Sequence, residues 1–334
     1  MADPFFRRRR LEREKLETSN LAPAGTRSTE SRGREFSEEP DEYRTSFERD
    51  RDRIVHTKAF RRLKHKTQVF INPEGDHFVT RLTHTLQVTQ IGRSMAVALG
   101  LNEALTEAIC LGHDVGHSPF GHTGEEALAP YVESGIWLHS AHSVRVLSML
   151  EPQNLTFEVI DGIRAHSWRV DPPPATPEGA LCRYADRIAY LTHDVADAVR
   201  AGILGLSSLP PAAIHRFGST SREWINQMIR AVIDDTVATG HVSMDEQTLA
   251  VLLELREFMF RNVYLRPEAE EQKQRAILVI RNLVDYFLHH PDEVPEGTTV
   301  DGSDPLTAAI DFVAGMTDRY AIQTHDRLFR PTLF

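Results

Sequence analysis

Leu111-Gly112-His113-Asp114-Val115-Gly116-His117-Ser118-Pro119-Phe120-Gly121-His122-Thr123-Gly124-Glu125 is the stretch whose reading decides the fold. An apolar helix runs into an adjacent His-Asp pair. A turn rich in Gly, Ser and Pro follows, then a further His and a Glu. Imidazole and carboxylate are the usual ligands of a hydrolytic divalent metal. Working upstream, Asn102 caps the helix that ends in this stretch, and Leu105, Ile109 and His113 recur at spacing four on one face. A preceding helix over Thr80 to Leu99 is closed by Gly100. On it His84, Val88, Ile91 and Met95 form a buried stripe, so His84 points inward as His113 does. The turn at Gly100 makes the two helices an antiparallel pair.

Downstream, helical patterns recur at 122–130, 139–150 and 156–166. The prolines of Asp171-Pro172-Pro173-Pro174-Ala175-Thr176-Pro177 mark a loop. A long helix from Glu178 to Ala201 then gathers Cys182, Asp186, Ala189, Tyr190, His193 and Asp194 on one side. Amphipathic helices are expected at 221–239, 244–261, 268–289 and 304–316. Upstream of the decisive stretch, Phe47 to Gln68 reads as one helix with Ile54, Val55, Ala59, Phe60 and Leu63 beside a local excess of Arg and Lys. Val69 to Val79 reads as a hairpin or an ordered loop around Pro73-Glu74-Gly75-Asp76. No repeat, heptad or serial βαβ pattern is present. The fold class is therefore all-α: a helical bundle extended by a C-terminal helical region. The expected divisions are a mobile arm over 1–40, a core over 41–202 and a C-terminal region over 203–334 packed on that core.

Composition narrows the function. A chain of 334 residues can bury a large core. Its net charge of −10 argues against duplex binding through the whole surface, but leaves room for a phosphate-bearing substrate in a local basic pocket. Arg7 to Arg10 and the basic stretch 51–66 keep single-stranded nucleic acid open as a partner. The two cysteines, Cys110 and Cys182, read as reduced core residues. No apolar run is long enough to span a membrane, and the basic N-terminus lacks an apolar signal core, so the expected location is cytoplasmic. The polar residues on inward faces are His84, His113, Asp114 and Asp186, from three helices. A lone buried His is most often a satisfied core residue, and a buried Asp is costly unless paired. Two imidazoles and two carboxylates together make a site for one divalent ion, with Mn, Mg, Fe, Co and Ni all compatible.

Arg81-Leu82-Thr83-His84, His113-Asp114 and Asp186 resemble the H…HD…D signature of the HD-domain metal-dependent phosphohydrolases. Arg61 to Phe70, Gly116 to Glu125 and Asp186-Arg187-Ile188-Ala189-Tyr190 resemble the bacterial deoxyguanosine triphosphate triphosphohydrolase-like proteins. Gly315-Met316-Thr317-Asp318-Arg319-Tyr320 resembles that family more loosely. The resemblance implies hydrolysis of deoxynucleoside triphosphates at the α-phosphorus, giving deoxynucleoside and tripolyphosphate. His84, His113, Asp114 and Asp186 would hold the metal. His122 and Glu125 match the catalytic His-acid pair, and their H-x-x-E spacing places both on one helix face; a helix-capping Glu is the competing reading. His122 would protonate the leaving 5′-oxygen or assist transfer in line. His139 matches a histidine on the α-phosphate, with His142 an ambiguous neighbour because this chain reads His139-Ser140-Ala141-His142-Ser143. His117 and His65 are expected outside the first ring of contacts. Arg81 would reach phosphate, with a surface salt bridge as its alternative. Gln68, Tyr190 and Asp194 would meet the deoxyribose. The resemblance also implies a homo-oligomer. Two alternatives remain at this stage: a phosphohydrolase of nucleoside monophosphates or other phosphoesters, and a non-enzymatic nucleotide- or nucleic-acid-binding regulator.

Overall fold

A computed structural model describes residues 5–68 and 78–331, and within them it contains α-helices and no strand. The expected hairpin over Val69 to Val79 lies almost wholly outside the described residues. It is flanked by a single antiparallel bridge between Thr67 and Thr80. In chain order the helices are α1 (Arg10–Asn20), α2 (Ser46–His56), α3 (Lys58–Arg62), α4 (Arg81–Leu99), α5 (Glu103–Gly112), α6 (His122–Leu128), α7 (His139–Arg145), α8 (Phe157–Arg164) and α9 (Pro177–Arg200). They continue as α10 (Pro211–Phe217), α11 (Ser221–Thr239), α12 (Glu246–Met259), α13 (Pro267–His289), α14 (Pro305–Ala314) and α15 (Asp318–Phe329). Among the described residues no helix is long and apolar enough to cross a membrane.

Local chemistry sets the helix ends. The Asn102 side chain accepts from Leu105 N at 3.2 Å, and Gly100 closes α4 in the left-handed region at φ +66°. The expected single helix over Phe47 to Gln68 is instead broken at Thr57. That residue ends α2, and its hydroxyl accepts from Phe60 N at 3.0 Å to start α3. A side chain that offers the backbone a competing partner favours a helix boundary over continuation.

Two apolar cores organise the molecule. The first takes α2, α4, α5, α8 and α9, with α4 central between α5 and α9. It continues across residue 202 into α10, α11 and α12 through Phe217, Trp224, Met228 and Leu252. The second joins α13, α14 and α15 to α6, through Ile280, Leu283, Val313 and Ala321 against Leu128, Phe120 and Trp137. The turn that carries the chemistry therefore sits between the two cores.

The described part of the 1–40 segment, expected as a mobile arm, makes hydrogen bonds within itself and to the first core. Glu17 accepts from Ser28 N and Oγ, and buried Glu178 in the first turn of α9 accepts from Thr26 N, Thr26 Oγ1 and Asn102 N at 2.7–3.0 Å. Ala22 N also donates to Gly100 O at 2.8 Å. The docking is polar, so the scarcity of apolar residues did not forecast it. Three cations of the basic stretch are paired within the chain: Arg51 with Glu107, Arg53 with Glu38 and Arg62 with Glu151.

Candidate active site and metal centre

α4, α5 and α9 pack against one another, so three helices project polar side chains into one buried volume. His84 from α4, His113 at the end of α5 and Asp186 from α9 bring one ligand atom each within 4.8 Å of the others. Asp114 closes the group: its Oδ1 is 3.5 Å from His113 Nε2, and its Oδ2 is 3.9 Å from His84 Nε2. His113 Nδ1–H donates to Cys110 O at 2.7 Å, which fixes the tautomer and leaves Nε2 as a lone pair. That Nε2 is buried and has no partner, a rare state for an imidazole nitrogen unless a ligand completes it. Burial lowers the His113 pKa, which keeps the ring neutral as a ligand must be. Burial opposes ionisation of Asp114 and Asp186. The imidazoles beside both, and Arg81 beside Asp114, outweigh it and hold both well below the usual carboxylate range. The donor set of nitrogen and carboxylate oxygen fits a divalent ion.

A second constellation adjoins the first. Glu125 is buried on α6 and accepts from both neighbouring imidazoles: His122 Nδ1–H on Oε2 and His139 Nδ1–H on Oε1, each at 2.7 Å. The His139 backbone N–H adds a third bond at 2.7 Å. Glu125 is thus a bridge and not a helix cap. His139 Nε2 lies 2.9 Å from His166 Nε2, and His166 Nδ1–H donates to Ile163 O at 2.7 Å. With its Nδ1 hydrogen committed, a neutral His166 can only accept, so His139 donates from both nitrogens and is an imidazolium facing Glu125. Burial pulls the His139 pKa down, but the Glu125 carboxylate raises it above its ordinary value. Burial, with His139 beside it, takes His166 down to about 3. His122 contrasts with all of these. Its side chain is 73% exposed, so Nε2 stands at the mouth of the site.

The turn between Asp114 and His122 is tightly seated. Phe120 takes φ +60° with its ring in the second core, and Gly121 follows at φ +59°. A Cβ on Gly121 would meet Arg81 Nη2 at 2.5 Å, so glycine is required there. Arg81 is buried and donates from Nη1 to Asp114 Oδ2 at 2.8 Å; the surface salt bridge expected as its alternative is an interior one. α7 is seated on Gly116, where a Cβ would fall 2.1 Å from Ser143 N. His142 donates from Nδ1 to Gly116 O at 2.8 Å, which makes it a structural neighbour of His139. His65 is exposed, whereas His117 is buried and stacks on His139 with centroids 3.9 Å apart.

Along α9, Asp186, Tyr190 and Asp194 share a face at spacing four, each step about 6 Å along the axis. Asp194 is buried and accepts from Tyr264 Oη at 2.6 Å. Burial lifts its pKa to about 7, with the Tyr264 bond opposing. Gln68 has its Oε1 buried without a partner. Two members of this arrangement, His166 and Tyr264, were not singled out in the sequence. His166 lies just past α8 and Tyr264 in a π-turn over Phe260–Tyr264, where no helical stripe marks an inward residue.

Comparison with known proteins agrees with this geometry. The HD domain family matches residues 81–191, which hold every member of the first cluster, and the phosphohydrolase-associated domain matches 242–327. A deoxyguanosinetriphosphate triphosphohydrolase-like protein of Caldanaerobacter subterraneus subsp. tengcongensis is 45% identical, covering 96% of this chain and 95% of its own. The chain belongs to the deoxyguanosinetriphosphate triphosphohydrolase-like family. A family protein of Clostridium tetani is 39% identical over 99% of this chain and 98% of its own. A hypothetical protein of Aquifex aeolicus of known structure is similar at a TM-score of 0.49 and 21% identity, over 85% of this chain and 68% of that one. Membership places the chain among HD-domain phosphohydrolases, and its His/Asp cluster is one that could hold a divalent metal.

Proposed function

We propose that the protein hydrolyses deoxynucleoside triphosphates at the α-phosphorus, releasing deoxynucleoside and tripolyphosphate. The observation that carries this reading is the Glu125 bridge between His122 and His139, set beside the His84, His113, Asp114 and Asp186 cluster. In this reading those four residues hold one divalent ion. When bound, such an ion polarises a phosphoryl oxygen and acidifies water. Arg81, whose Nε is buried without a partner, donates to the α-phosphate, with the His139 ring beside it. As a water oxygen bonds to the α-phosphorus and releases its proton to solvent, His122, exposed at Nε2 and oriented through Nδ1 by Glu125, delivers a proton to the 5′-oxygen whose bond to phosphorus breaks. Asp194, one further turn beyond Tyr190 from Asp186, accepts from the sugar 3′-hydroxyl while Tyr264 holds it. Tyr190 fills the space a 2′-hydroxyl would need, and Gln68 Oε1 offers a second acceptor to the sugar. A homo-oligomer in the cytoplasm belongs to the same reading, and light scattering across the micromolar range checks the assembly.

The test is incubation of the purified protein with each dNTP, singly and mixed, with Mn or Mg, beside an Asp186→Ala control. Tripolyphosphate and deoxynucleoside that disappear in the control are the expected result. No cleavage of any dNTP in any mixture, with metal bound, would overturn the proposal and turn attention to monophosphates and other phosphoesters.

A further inference from the structure

The His122 turn and the metal-type cluster are built on different cores, while α7 with His139 packs on α8 of the first. The metal-type cluster comes from α4, α5 and α9 of the first core, together with Asp114 just past α5. The segments carrying His122 and His139 are instead tied to α14 and α15 by buried carboxylates. Asp318, the first residue of α15, accepts from Phe120 N on Oδ1 at 2.9 Å, and from Thr67 N and Oγ1 on Oδ2 at 2.9 and 2.6 Å. Phe120 is the left-handed residue two positions before His122, so this bond holds the backbone where the His122 turn is most strained. Asp311 of α14 takes Arg145, at the end of α7, in a two-bond fork at 2.7 and 2.6 Å. Buried Lys66 donates to His117 O in the turn and to Ala314 O at the end of α14.

We infer that Asp318 is a positioning residue for the proposed proton donor. Through Phe120 it places the His122 imidazole against Glu125, whereas α7 and His139 are held by the Gly116 turn and by His166, with Asp311 adding one tie at the end of α7. The C-terminal helices then frame the His122 side of the proton-transfer group, while metal binding belongs to the first core. The chemistry favours a carboxylate at this point. Three donors converge on Asp318, and an asparagine of the same shape has one acceptor oxygen and would turn its amide hydrogens toward the remaining donors.

This inference rests on the proposed phosphohydrolase chemistry, and its test separates the two. Asp318→Asn is compared with the parent protein for kcat, KM, bound metal per chain and the ring-nitrogen resonances of His122 in histidine-labelled protein, assigned with His122→Ala. The expected result is a fall in kcat of about 10- to 100-fold, since small misplacements of a catalytic group have effects of that order. KM and metal content stay within about twofold, and the His122 resonances move. A folded Asp318→Asn protein with unchanged kcat and unmoved resonances would overturn the inference. So would a kcat loss matched by metal loss. If Asp318→Asn does not fold, Asp318→Glu, which keeps the carboxylate but displaces it by one methylene, takes its place, with kcat and the His122 resonances as readout and the same pattern expected. If the parent protein cleaves no dNTP, the resonance shifts still decide the positioning role, and only the reaction is lost.

Discussion

Glu125→Gln is the sharpest perturbation of the site. The carboxylate accepts three hydrogen bonds of 2.7 Å, one from His122 Nδ1 and two from His139. Glutamine is nearly isosteric but carries one acceptor oxygen. If that oxygen stays with the two His139 donors, its amide nitrogen faces His122 Nδ1 and disfavours a proton there. The imidazolium needed to protonate the leaving oxygen is then destabilised, and the ring loses its orienting bond. General acid catalysis by a positioned side chain is worth about 10²- to 10⁴-fold, or about 3–5 kcal/mol in the barrier. The expected outcome is a kcat reduced within that range, KM changed by less than about threefold and metal content unchanged, because Glu125 lies outside the His84–Asp186 cluster. Tripolyphosphate release under saturating dNTP measures kcat directly. Since His122 and Glu125 act as a unit, the double variant with His122→Ala should be about as slow as the slower single variant. A kcat within about fivefold of the parent, or losses that add fully in the double variant, would refute the assignment of Glu125 as the residue that orients His122.

Asp194→Asn should stabilise the fold increasingly as pH rises from 5 to 8. The native carboxyl keeps a proton up to about pH 7 that the unfolded chain releases near pH 4, so its contribution to stability falls across that window; the gain is at most about 4 kcal/mol at pH 8. Urea denaturation at the two pH values reads it, and equal gains at both would contradict the raised pKa. Gly121→Ala should cost about 1–3 kcal/mol from the backbone at φ +59° and ψ −130° alone, and its Cβ must also displace Arg81; thermal melting and the apparent affinity for dNTP together check both effects. Chelation of divalent metal should abolish phosphohydrolase activity and lower Tm, because ligand bound only to the folded state stabilises it, and restored Mn or Mg should reverse both changes. A Tm indifferent to metal would count against the cluster as the binding site.

How much of this was legible depends on how each residue is placed. His84 and His113 declare themselves because they fall on regular apolar stripes, at spacing four from Val88 and Ile109. Asp186 follows Cys182 by one turn on a long helix, and Glu125 follows His122 by three residues. Local periodicity carries all of these. The second role of Glu125, holding His139 fourteen residues away, has no local signature. Neither has Asp318, whose partners Phe120 and Thr67 lie 198 and 251 residues away in the chain. The hydrogen bonds of the N-terminal segment lack a local signature for a related reason. Its anchors are Glu17, Thr26 and Glu178, polar residues that composition assigns to solvent. Hydrophobic patterning reveals which faces are buried, whereas paired buried polar groups are visible only once tertiary structure joins them.

The charges of the site argue for how substrate and metal depend on each other. Glu125 is matched by the imidazolium of His139, and of the two cluster carboxylates Asp114 and Asp186 only one is offset, by Arg81. The group of Asp114, Asp186 and Arg81 therefore holds one more carboxylate than cation, on a chain whose overall charge is −10. Such a site repels a polyphosphate, and low surrounding dielectric strengthens the repulsion. A divalent ion at the cluster reverses the local sign. Metal should accordingly govern substrate affinity as well as turnover: across a metal titration the apparent KM for dNTP should fall as occupancy rises. The same titration with Asp186→Asn, which removes one negative charge without adding a cation, separates charge from ligation. If ligation alone mattered, substrate binding to the metal-free proteins, measured by calorimetry, would be equally weak in both. If charge matters, the metal-free Asp186→Asn protein should bind dNTP more tightly than the metal-free parent and still fail to cleave it.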